Sequence, residues 1–164
     1  MKTIKVRNTL SVIWILLLVT SNSALAQNNT NYLQVITNTT LNFNVNDAND
    51  LENAQTLSNA LTIKMMSKAK NCNVSAKISS YTVPAGFLAT TSPIKLDFTS
   101  TTATNTSYIY SGALTLSSSD QLLFSQNKSG ATNYYYYDVI MGPLDYSYGP
   151  GNYNFTITFT MVQP

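Results

Sequence analysis

The chain has no histidine, a single cysteine (Cys72) and only 10% charged side chains. Each scarcity removes a class of chemistry. Without histidine there is neither a Ser-His-Asp triad, nor a Cys-His pair, nor a metal site with a histidine ligand. One cysteine cannot close an internal disulfide, and with no histidine to activate it, it reads as a buried or inert thiol. The carboxylates Asp47, Asp50, Glu52, Asp97, Asp120, Asp138 and Asp145 include no pair in a recognisable motif, whereas a glycosidase needs two carboxyl groups flanking one bond. Asp47, Asn49, Asp50 and Glu52 gather oxygen atoms in one turn, but they lack the glycine and distal bidentate glutamate of a calcium loop; ordinary Asx turns account for them. The expectation is a non-enzymatic protein without metal or cofactor.

What the chain has begins with a leader. Lys2, Lys5 and Arg7 precede an apolar run over residues 10–19, and Ala24-Leu25-Ala26 is a small-x-small cleavage signal. This is the pattern of a Sec signal peptide over residues 1–26, and the run is too short for the roughly 20 apolar residues of a transmembrane helix. No cysteine stands at the cleavage point to accept a lipid. The expected mature chain of 138 residues starts at Gln27 and has no arginine, with six lysines against seven acids. Its destination is the periplasm, the cell surface or the medium, with no membrane span after cleavage. Lys64, Lys68, Lys70 and Lys77 are the main concentration of positive charge and read as a solvated face, not as a nucleic-acid site. Sequons begin at Asn28, Asn38, Asn73, Asn105, Asn127 and Asn154, as an Asn-, Ser- and Thr-rich chain produces by chance.

Beyond the leader, good helix formers are scarce while Thr, Tyr and branched aliphatics are common, so extended structure is favoured. Period-two alternation predicts strands at 33–35, 41–45, 57–66, 74–83, 94–99, 108–116, 122–125, 134–141 and 153–162. Turn signals fall between them at 46–50, 84–86, 99–107, 127–130 and 148–151. Short strands at this spacing make an all-β sandwich or barrel in one domain over 38–164, with 27–37 as an N-terminal extension or first strand. A short helix is expected near 50–60, where Leu51, Ala54 and Leu57 share a face.

The clearest pattern is the ending, Gly151-Asn-Tyr153-Asn-Phe155-Thr-Ile157-Thr-Phe159-Thr-Met161-Val-Gln-Pro164. Five large apolar residues alternate with Asn and Thr, as a strand with one buried face requires. This ending resembles the last strand of bacterial pilin-like β-sandwiches, including chaperone–usher subunits and spore-coat-U-like secreted proteins. Gly151, fourteenth from the end, matches the spacing of the chaperone-binding motif of fimbrial subunits; Gln163 stands where that motif has an aromatic, and the disulfide common in such subunits is absent.

The resemblance implies an immunoglobulin-like antiparallel sandwich of about 7–9 strands working as a structural or adhesive fimbrial subunit at a bacterial surface. Its partners would be protein subunits, copies of itself or relatives, and a periplasmic chaperone. It further implies a groove filled by a neighbour's N-terminal extension. Gly151, Tyr153, Phe155, Ile157, Phe159 and Met161 would then form the subunit-contact or core strand. Leu33 and Val35 would be the plugs of a donor segment, although residues 27–37 read equally well as the first strand.

The run Tyr134-Tyr135-Tyr136-Tyr137 is the other unusual feature. In a strand its side chains alternate between faces, so two tyrosines would pack inward and two would face outward. An exposed pair would stack on sugar rings or anchor a protein contact. A monomeric carbohydrate-binding module, using Tyr134 to Tyr137 with Tyr146 or Tyr148, is therefore the alternative function.

Overall fold

Threonine, tyrosine and branched aliphatic residues pack well across a pleated surface, and the chain turns that preference into nine strands among the described residues. The computed structural model describes residues 31–44, 47–82, 92–144 and 154–164. The strands are β1 (Tyr32–Thr37), β2 (Gln55–Ser67), β3 (Cys72–Thr82), β4 (Ile94–Thr101), β5 (Thr106–Ile109), β6 (Ala113–Thr115), β7 (Gln121–Gln126), β8 (Ser129–Met141) and β9 (Asn154–Val162). One short helix, α1 (Ala48–Glu52), precedes β2. The strands pair antiparallel in a five-stranded sheet, ordered β1-β2-β8-β4-β6, and a four-stranded sheet, β5-β7-β3-β9. The architecture is an all-β sandwich, as expected. No helix among the described residues is long and apolar enough to cross a membrane.

The two sheets share one core. Ile63, Met65, Leu96 and Val139 enter it from the five-stranded sheet, and Val74 and Phe124 from the other. Irregularities in register tune which residues face it. The pairing of β3 with β7 steps from Val74↔Phe124 to Ser75↔Leu122. That step leaves Leu123 as an extra residue, and adjacent Leu123 and Phe124 are both buried. In β2, residues 58–60 bulge between the Leu57↔Val139 and Leu61↔Tyr137 pairs. Asn59 takes up the bulge at φ 49°, a left-handed conformation that asparagine tolerates better than most residues. Its N–H donates to the Asp138 carboxylate at 2.6 Å.

A buried polar chain ties the sheets together at one end. The Tyr135 hydroxyl donates to Gln126 Oε1 at 2.9 Å and shares a 2.8 Å hydrogen bond with Thr106 Oγ1. Gln126 Nε2 donates to Ser67 Oγ at 2.9 Å, and that hydroxyl donates to the Asn127 carbonyl at 3.1 Å. Tyr135, Gln126 and Ser67 are all fully buried, and burial without these partners would cost each polar group about 1–3 kcal/mol. The Tyr135 ring also stacks on Phe124, with centroids 3.7 Å apart and planes at 12°.

Three expectations are corrected. The helix is Ala48–Glu52 rather than a segment of 50–60; Asp47 caps it by accepting from the Asp50 N–H at 3.0 Å. From Gln55 the chain is extended, because pairing with β8 overrides the helical spacing of Ala54 and Leu57. Residues 41–44 form no strand, and Leu41 is exposed. The single strand expected over 108–116 is two: β5 and β6 lie in different sheets. Gly112 stands at the crossing with φ 91°, a region in which a side chain would be strained.

Candidate functional site

Because β5 and β6 are edge strands of different sheets joined by residues 110–112, these two edges close one side of the sandwich; three residues just span the roughly 10 Å between sheets. The edges on the opposite side are β1 and β9. Along β9, Ile157, Phe159 and Met161 face the core in register with Ile78, Ala76 and Val74 of β3. The β3 residues are buried, whereas the β9 residues are only half-buried. Apolar packing thus thins out across a single strand spacing. Among the described residues β9 pairs with β3 alone, so its other side presents a row of backbone donors and acceptors. The strand carries no charge and no proline over its nine residues, and these are the usual devices that blunt an edge.

The inward face of β1 borders the same side. Leu33 is half-buried and packs on the core, while Val35 is 37% exposed. These two residues are the plugs of the donor reading, and residues 27–37 read equally well as the first strand. In the single chain β1 pairs along its whole length with β2, from Tyr32↔Met66 to Thr37↔Leu61, the arrangement of a first strand. Asn31 anchors its start: Oδ1 accepts from the Ala69 N–H at 3.0 Å and Nδ2 reaches Cys72 Sγ at 3.5 Å. Gly151 and Tyr153 of the expected contact strand, with Tyr146 and Tyr148, lie outside the described residues.

The four consecutive tyrosines divide as a strand dictates. Tyr135 and Tyr137 are buried in the core, which removes them as ligand-stacking residues. Tyr134 and Tyr136 lie half-exposed on the outer face of β8, the central strand of its sheet. The register places Lys64 opposite Tyr134, and Thr62 and Ser100 on either side of Tyr136. Further along the same face, Asp97 stands directly opposite Asp138.

The remaining candidates have structural roles. Asp120 pairs with Lys77 at 3.3 Å on the surface, a contact worth little. Lys64 projects from the outer face of one sheet and Lys77 from that of the other, so the lysines do not form one basic face. Cys72 is buried; its thiol donates to the Lys70 carbonyl at 3.6 Å, and burial pushes its pKa above the ordinary 9.0. Among the described residues no three His, Cys, Asp or Glu side chains converge on a metal position. Asp145 lies outside them.

No protein-family model matches the chain, and neither a curated protein nor a solved structure is detectably similar to it. Function is therefore argued from the geometry together with the sequence pattern. Two of its features could not be found by reading along the sequence. The alternation of residues 153–162 marks a strand but not an edge, and residues 97 and 138 become neighbours only once β4 and β8 are in register.

Proposed function

We propose that the chain is an exported subunit of a bacterial cell surface, structural or adhesive, that assembles by accepting a strand from another chain along the open edge of β9. The observation that carries this reading is the half-buried apolar face of β9 beside a side left unpaired among the described residues. A strand laid there would complete the row of main-chain hydrogen bonds and cover Ile157, Phe159 and Met161, the combination that gives strand addition its affinity and register. The leader at residues 1–26 supports export, and the alternating C-terminal pattern supports a pilin-like subunit. In the single chain β1 is paired inside its own sheet, and the accepted strand is supplied by a neighbouring molecule.

The test is gel electrophoresis in SDS, with and without boiling, of the protein recovered from its native surface. Beside it runs the double variant Thr156→Lys/Thr160→Lys, which puts two charges on the polar face of β9 while leaving its core residues in place. A ladder that collapses on boiling and is missing from the variant, with the variant's melting temperature unchanged, is the expected result. Monomer bands in every lane would rule the reading out.

A further inference from the structure

We propose that the outer face of the five-stranded sheet binds a neutral polysaccharide, with Tyr134 and Tyr136 as the rings on which its sugars stack. This goes beyond strand addition and does not depend on it, because the face lies on the flat of the other sheet, away from β9.

The register defines the platform. Successive outward positions of β8 are Thr132, Tyr134, Tyr136, Asp138 and Ile140, about 7 Å apart. The two rings therefore form a short strip along the strand at the middle of the sheet. Neither phenol hydroxyl is hydrogen-bonded to a described residue, in contrast to Tyr32, whose hydroxyl meets Thr132 Oγ1 at 2.9 Å. Lys64, with Gln34 beyond it, flanks Tyr134, and Ser100 flanks Tyr136, whereas Thr62 on the other side of Tyr136 is buried and accepts from Asn38 Nδ2 at 2.8 Å. A protein interface needs a contiguous apolar centre from which charge is depleted; Tyr32, Ile36 and Met66 share this face with the two rings, but Lys64 stands among them opposite Tyr134 and Asp138 follows Tyr136, so charge interrupts the patch at its centre. A pyranose does fit, since it offers an apolar C–H face to an aromatic ring and a rim of hydroxyls to the groups beside it.

Charge narrows the ligand class. The rim carries two cations, Lys64 and Lys95, and two anions, Asp97 and Asp138. Their sum is zero, so an acidic or basic chain gains nothing from the face as a whole. Asp97 and Asp138 stand opposite each other with no ion pair between either and a described lysine, and like charges so placed oppose each other. Asp138 accepts from Asn59, and carboxylates of this kind have further acceptor capacity for sugar hydroxyls, which bring donors without adding charge.

The experiment measures retention of the chain lacking residues 1–26 on insoluble cellulose, chitin, xylan and mannan, with alginate as the acidic comparison. It includes Tyr134→Ala/Tyr136→Ala, and Tyr108→Ala as a control at an exposed tyrosine of β5. Retention by at least one neutral matrix is expected, weakened about tenfold or more in the double variant and unchanged in Tyr108→Ala. Should the double variant fold poorly, nitration of the wild-type tyrosines gives the answer: soluble oligosaccharide from the retaining matrix should protect Tyr134 and Tyr136 but not Tyr108. No retention on any neutral matrix, tighter retention on alginate, or no protection of the two tyrosines would each overturn the proposal. Retention of the double variant equal to wild type would do the same, as would contact through these tyrosines with a second protein alone.

Discussion

Tyr135 and Tyr137 enter the same core from successive inward positions of β8, yet the first hydroxyl is hydrogen-bonded to Gln126 and Thr106 while the second is buried with no partner among the described residues. The Tyr137 ring sits edge-on to Phe98, with centroids 5.7 Å apart, and that contact survives loss of the hydroxyl. Tyr137→Phe should therefore raise stability by about 1 kcal/mol, the order of the cost of an unsatisfied buried group. Tyr135→Phe should lower it by about 1–2 kcal/mol, because Gln126 Oε1 and Thr106 lose their donor or acceptor. Urea unfolding of the two variants beside wild type measures both; a gain for Tyr135→Phe would contradict the role given to the buried chain.

The same burial makes the fold sensitive to alkali. Desolvation holds the Tyr137 hydroxyl far above its ordinary value of 10.0, reinforced by the neighbouring Tyr135. Tyr135 is likewise raised by burial, against an opposing effect of hydrogen bonds to Thr106 and Thr101. Both groups keep their protons in the folded state after the unfolded chain has released its own. Their contribution is thus complete below pH 10 and is lost as pH rises above it, by up to about 1.4 kcal/mol per pH unit for each group. Cys72 adds the same trend from pH 9 upward. Unfolding free energies measured from pH 8 to pH 11.5 should fall with rising pH, and Tyr137→Phe should flatten the fall. A profile that Tyr137→Phe leaves unchanged would show that this hydroxyl is not the one titrating.

Asp97 and Asp138 supply a contrast of another kind. They face each other across β4 and β8, and like charges directly opposite on a sheet destabilise it. Asp97→Asn should raise stability by about 0.5 kcal/mol. Asp138→Ala should give no such gain, since it also removes the acceptor of the bulged Asn59 N–H. Thermal melts of the two variants at neutral pH check the difference, and equal gains would mean that the Asn59 contact contributes nothing.

Alternation was enough to locate the long strands: β2, β3, β8 and β9 lie where Leu61-Ile63-Met65, Val74, the tyrosine run and Phe155 to Met161 place them. It failed where conformation depends on a partner. Residues 41–45 alternate as well as a strand does, but no strand forms over 41–44. The stretch 108–116 reads as continuous, and only the positive φ of Gly112 divides it between the two sheets. For the site, the sequence separates Tyr134 and Tyr136 from Tyr135 and Tyr137 but does not say which pair is buried; that depends on a sheet packing against one side of β8. It could not distinguish Leu33 and Val35 as donor or first strand either, because pairing within a chain and between chains uses the same alternating residues.

Hydrogen–deuterium exchange along β9, in the isolated subunit and in assembled material, tests strand addition most directly. An edge strand protects only the amides that point to its one neighbour, so in the subunit alternate amides of Asn154–Val162 should exchange fast and the others, bonded to β3, slowly. In the assembly both sets should be slow. Fast exchange of the alternate amides that persists after assembly, or full protection already present in the subunit, would contradict the acceptor role of the β9 edge.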